Sequence, residues 1–82
     1  MLKNENDAII SRLREGQSVT IRRSSGAEQI ARVARVVPAP KLSKFQAPEQ
    51  AQLAQFAAVW KDPGRSTGEA VRWCLAEDII RA

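Results

Sequence analysis

Residues 17–40, QSVTIRRSSGAEQIARVARVVPAP, decide how the rest of the chain is read. The segment is dense in valine, isoleucine and threonine and carries four arginines, Arg22, Arg23, Arg32 and Arg35. Residues 18–23 alternate, with Val19 and Ile21 on one side of an extended chain and Thr20 and Arg22 on the other. That period of two marks a half-buried strand. Ser24, Ser25 and Gly26 then supply a turn signal. Residues 29–37 fit two patterns. As a strand they are rich in β-branched side chains and close a hairpin on the preceding strand. As a helix, Ile30, Val33, Ala34 and Val37 form an apolar stripe, and Ser25 and Glu28 have capping-box spacing. The nearby hairpin partner favours the strand, since an isolated strand would have to pair with something distant. Pro38 and Pro40 end the element in either case, because neither supplies a backbone N–H.

On the N-terminal side, residues 6–15 predict a short helix. Asn4 or Asn6 can cap it, Ile9, Ile10 and Leu13 turn inward, and Gly16 lies just past its end. On the other side, residues 38–46, PAPKLSKFQ, read as a proline-containing linker that carries Lys41 and Lys44. Pro48 suits the first position of a helix running to about Lys61, in which Leu53, Phe56, Ala57 and Trp60 recur at helical spacing as packing residues. Asp62, Pro63 and Gly64 end it. Ser66 and Glu69 then form a capping box for a last helix over 67–81. Ala70, Val71, Cys74 and Leu75 make its inner face, while Trp73 and Ile80 lie on another side as a second apolar surface. The expected fold is a single α+β domain with a short N-terminal helix, a central β-hairpin and a C-terminal αα-hairpin. Residues 1–37 are its basic helix-and-hairpin part, 38–46 its linker and 47–82 its helical hairpin.

At 82 residues such a chain buries only about 60–65% of the surface exposed when unfolded, so self-association into a homodimer is expected to add stability. There is no histidine and one cysteine, Cys74. The usual general base, the nucleophile pairs and the imidazole metal ligands are therefore missing. The carboxylates are scattered and form no pair, and no glycine-rich phosphate loop is present. The reading is of a non-enzyme with no catalytic residue, metal site or cofactor. No apolar run matches a signal peptide or a membrane span, and a soluble cytoplasmic protein with no membrane partner is expected. The net charge of +4 is uneven, +5 over residues 1–45 and −1 over 46–82. A concentrated basic part calls for an anionic partner, either nucleic acid or an acidic protein surface.

The run Leu13-Arg14-Glu15-Gly16-Gln17-Ser18-Val19-Thr20-Ile21-Arg22-Arg23 resembles part of the N-terminal domain of Phd/YefM-type antitoxins. In those proteins a helix ends in a tight turn and a strand carrying a basic pair follows. Ala34-Arg35-Val36-Val37-Pro38 is similar to their returning strand. The resemblance implies a dimeric operator-binding domain whose C-terminal segment wraps a toxin. A helix-turn-helix reading of residues 47–82 is rejected on charge, because Glu69, Glu77 and Asp78 would face the phosphates.

Two functions follow as expectations. The first is a small regulator that binds nucleic acid through Arg22, Arg23, Arg32 and Arg35, with Lys41 and Lys44 extending the track. Arginine suits this role because its fork can bind phosphate or guanine bidentately. The second is a phage- or plasmid-encoded protein inhibitor or adaptor that docks on an acidic or nucleic-acid-binding surface of a host complex. Trp73 and Ile80, on the C-terminal helices, would be its apolar anchors.

Overall fold

The computed structural model of the chain describes residues 2–39 and 52–82. One helix, α1 (Lys3–Ser11), precedes five strands: β1 (Ser18–Arg22), β2 (Glu28–Val37), β3 (Gln55–Lys61), β4 (Glu69–Cys74) and β5 (Ile79–Arg81). All pair antiparallel in one sheet of order β4-β3-β2-β1-β5. The first four strands are a meander. The chain then passes a 3-10 turn, Ala76–Asp78, and lays β5 against the free edge of β1.

The expected C-terminal αα-hairpin is corrected, and with it the α+β fold class built on it and the assignment of 47–82 as a helical hairpin. The described residues there form β3, β4 and β5. The error has a physical source in the spacing of the apolar residues. Phe56 and Trp60 stand four apart, as do Ala70 and Cys74, and a separation of four satisfies both the helical period and the period of two. In the sheet, Phe56 and Ala58 are fully buried on the inner face, while Ala57 and Val59 face the other way. Val59, Trp60, Val71 and Trp73 are residues that favour a pleated surface. Residues 62–68 are the turn joining β3 and β4. Asp62 Oδ1 accepts from the Gly64 N–H at 3.1 Å, and Gly68 takes φ +75°, a left-handed conformation open to glycine without steric cost. The stretch Asp62-Pro63-Gly64 therefore turns the chain back on itself and does not cap a helix.

Of the two readings of residues 29–37 the structure has the strand. β1 and β2 pair from Ser18 opposite Arg32 to Arg22 opposite Glu28, with Gly26 at φ +91° in the connecting turn. A bulge shifts the register of β2 against β3 between Val33 and Arg35. Arg32 and Arg35 are three apart and would point to opposite faces of a regular strand. The extra residue puts both on the outer face.

The inner face of the sheet carries Val19, Ile21, Ala31, Val33, Phe56, Ala58 and Cys74, closed over by Ile10 and Leu13. α1 begins at Lys3 with Leu2 in the capping position and no side-chain cap. Asn6, expected as a cap, is instead buried inside the helix at 3% exposure. Its Nδ2 donates to the Ala54 carbonyl at 3.0 Å, and its Oδ1 accepts from the Ala76 N–H at 2.8 Å. Asp7 Oδ1 accepts from the Ala54 N–H at 2.9 Å. Two adjacent side chains thus fasten α1 both to the entry of β3 and to the turn before β5.

The hydrogen bond from the Lys3 ammonium, and next that from the Ala54 N–H, hold the Asp7 carboxyl down at about 2. A depressed carboxyl contributes stability that is complete above its unfolded pKa and lost as pH falls through the folded one. The protein is therefore expected to weaken between about pH 4 and about pH 2. Asp7→Asn should flatten that part of a stability profile followed by urea denaturation. An unchanged acid limb in the variant would contradict this anchoring. Burial, and then the Asp78 charge, push the Cys74 thiol up to about 11. Cys74 should resist alkylation at pH 8 in the native protein and react at the rate of a free thiol in denaturant. Rapid native alkylation would contradict its burial.

Candidate functional site

Directly opposed residues of antiparallel strands share a face, so the register lays out the outer surface row by row. One row runs Arg35, Ala57, Trp73 across β2, β3 and β4. The next runs Ser18, Arg32, Val59, Val71 across β1 to β4. The third holds Thr20 beside Ile30. Trp73 is 48% exposed, Val71 58% and Ile30 70%, so three of the large apolar side chains open to solvent share one face. Arg32 and Arg35 are exposed among them. Among the described residues neither pairs with a carboxylate. Glu28 and Glu69 lie on this face as well, but at its far end and each opposite a base, Arg22 and Lys61. Among the described residues the middle of the face is basic, aromatic and free of acid.

Ala57 is what makes the row work. It sits between Arg35 and Trp73 and is 5% exposed although it faces outward. At that exposure its methyl is already covered, so Arg35 and Trp73 are the groups of this row that are open to solvent. The row thus offers a π-face on β4 and a planar cation two strands away on β2.

The four arginines singled out in the sequence do not form one cluster. Arg32 and Arg35 are brought together by the bulge. Arg22 is on the same face at the other end of β1, four residues beyond Ser18 and so ~13 Å from the Arg32 row. Arg23 has left the sheet. Its guanidinium lies 5.6 Å from the centre of the Trp60 ring, at the end of the sheet where the β1–β2 and β3–β4 turns meet. Lys41 and Lys44 lie outside the described residues. Trp73 and Ile80 are not on one helix. They occupy β4 and β5, the two edges of the sheet with three strands between them, and Ile80 is half-buried. The C-terminal helices on which a partner contact is expected are strands.

Sequence reasoning passed over Arg72 and Arg65. Arg72 faces inward from β4, donates to the Arg22 carbonyl, and has Nη2 3.5 Å from Asp78 Oδ1. It ties the β4 edge to β1 and to the turn before β5. Arg65 stands on the β3–β4 turn with Nε 3.3 Å from Asp62 Oδ2. The alternation of residues 69–74, EAVRWC, was the signal that separates Arg72 from Val71 and Trp73. It went unread because the helical period also fitted.

Among the described residues no helix is long and apolar enough to cross a membrane, and no group of three acidic or thiol side chains could hold a metal ion. The chain matches no family model, no curated protein and no solved structure.

Proposed function

We propose that the protein is a non-enzymatic module that binds nucleic acid on the outer face of its sheet, taking unpaired bases rather than a duplex. The observation that carries this reading is the row Arg35, Ala57, Trp73 with Arg32 beside it, the two arginines exposed and without a carboxylate partner among the described residues. Trp73 offers a stacking surface that accepts any base. Arg35 lies two strand spacings from it in the same row, ~10 Å, and Arg32 stands one row along β2, so both can hold neighbouring phosphates of the nucleic-acid strand. The face presents an exposed aromatic and two guanidinium groups to splayed bases, whereas a duplex keeps its base faces closed to Trp73.

The direct test is fluorescence anisotropy with a labelled single-stranded oligonucleotide and its duplex at equal ionic strength. Binding to the single strand at least ~10-fold tighter than to the duplex is expected, since the duplex hides the base faces from Trp73. Equal or tighter duplex binding would reject the reading.

A second reading, docking on an acidic protein surface, draws on Ile30 and Val71, the other apolar side chains exposed on this face. Interfaces centre on tryptophan and arginine, and such a patch would bury as well against protein as against bases. The two separate on nuclease treatment: a complex captured from lysate on the immobilised protein survives digestion in the second case and falls apart in the first.

A further inference from the structure

The sheet also has a pocket at the end where Arg23 leaves β1. It has a volume of about 240 Å³ and is lined by Arg23, Ser24, Trp60, Arg65, Val71 and Arg72. Three of its lining residues are arginines, and the Arg72 guanidinium also donates to the Arg22 carbonyl. Asp62 and Asp78, which pair with Arg65 and Arg72, do not line it. Arg23 has no carboxylate partner among the described residues and is placed by the Trp60 ring instead. We propose that this pocket is a phosphate-monoester site that receives the terminal phosphate of a bound nucleic-acid strand. The proposal rests on the nucleic-acid reading for the source of the phosphate, and on the pocket alone for the chemistry.

Size, charge and position point the same way. The pocket is several times the ~30 Å³ of a water molecule and below the ~300 Å³ typical of pockets that enclose a whole small ligand, a size that suits an end group. A terminal phosphate carries a charge of about −1.5 to −2 at neutral pH and offers three free oxygens. An internal diester carries one charge and must enter with chain on both sides. A wall lined by three arginines, of which Arg23 has no carboxylate partner among the described residues, therefore favours the more highly charged monoester. Val71 belongs both to the outer face, where it lies opposite Val59, and to the lining of the pocket. It stands two residues from Trp73 along β4, ~7 Å, which is close to the reach of one nucleotide. A strand stacked on Trp73 can turn over the β4 edge at Val71 and end among the arginines.

The experiment compares one oligonucleotide sequence ending in a phosphate or in a hydroxyl, with inorganic phosphate and pyrophosphate as small probes. The phosphate-ended strand is expected to bind ~10-fold tighter, a preference that Arg65→Ala, on an exposed turn, should reduce to about twofold or less. Trp73→Ala should weaken both strands alike and leave the preference intact. NMR of the arginine Nε–H groups and the Trp60 indole reports the pocket independently, and the small probes should shift Arg23, Arg65 and Trp60. Shifts with the small probes but no oligonucleotide binding would overturn the nucleic-acid reading and the terminal-phosphate source, while keeping a phosphate-monoester site. Equal affinity for the two ends, or no shift with any probe, would overturn the pocket.

Discussion

Replacing Asn6 by leucine is expected to cost the fold roughly 2–4 kcal/mol and to lower its melting temperature by roughly 10–25 °C, although the two side chains are similar in size. Asn6 is 3% exposed, donates to the Ala54 carbonyl and accepts from the Ala76 N–H. Leucine would leave both backbone groups dry and without a partner, at about 1–3 kcal/mol each. For a domain of this size that is a large part of its total stability. Asn6→Asp serves as the graded control: it keeps an acceptor for Ala76 and loses the donor to Ala54, so it should fall between. Urea denaturation followed by circular dichroism reads both. A loss below about 0.5 kcal/mol for Asn6→Leu would mean that the helix is not fastened through this side chain.

Replacing Trp73 by alanine should weaken single-stranded binding by roughly 10–100-fold, corresponding to the 1–3 kcal/mol that one stacked base is worth. The indole is half-exposed on an edge strand and contributes little to the core, so the variant should remain folded. Trp73→Phe keeps a π-face and should recover most of the affinity. The loss should also be the same at every salt concentration, because stacking involves no counterion. Unchanged binding by Trp73→Ala would remove the stacking surface from the account, and a loss recovered by leucine would favour an apolar protein partner.

How much of this was legible beforehand depended on where the two periodicities disagree. In β1, Val19 and Ile21 are two apart and Arg22 breaks the helical stripe, so the strand could be read directly. In β3 and β4 the inward-facing pairs, Phe56 with Trp60 and Ala70 with Cys74, are four apart, and the sequence satisfies a helix and a strand alike. The deciding weight lay with the β-branched and aromatic residues between them and with residues 62–68 read as a turn. Trp73 was recognised as unneeded by the core, but the neighbours assigned to it were wrong, since they follow from strand pairing. The juxtaposition of Arg32 and Arg35 depends on a bulge with no glycine or proline to announce it. Asn6 looked like a cap because asparagine near a helix start usually is one. Only the tertiary partners, 48 and 70 residues away, give it its role.

The most direct measurement is the salt dependence of single-stranded binding, taken on the native protein and on the double variant Arg32→Ala with Arg35→Ala. Each phosphate neutralised on a single strand contributes about −0.7 to the slope of log affinity against log salt. The native protein should show a steep negative slope, and the double variant a slope shallower by about 1.4 with weaker binding at low salt. An affinity that stays level from low to high salt, or a slope that the double substitution leaves unchanged, would contradict a sheet face that holds phosphates through these two side chains.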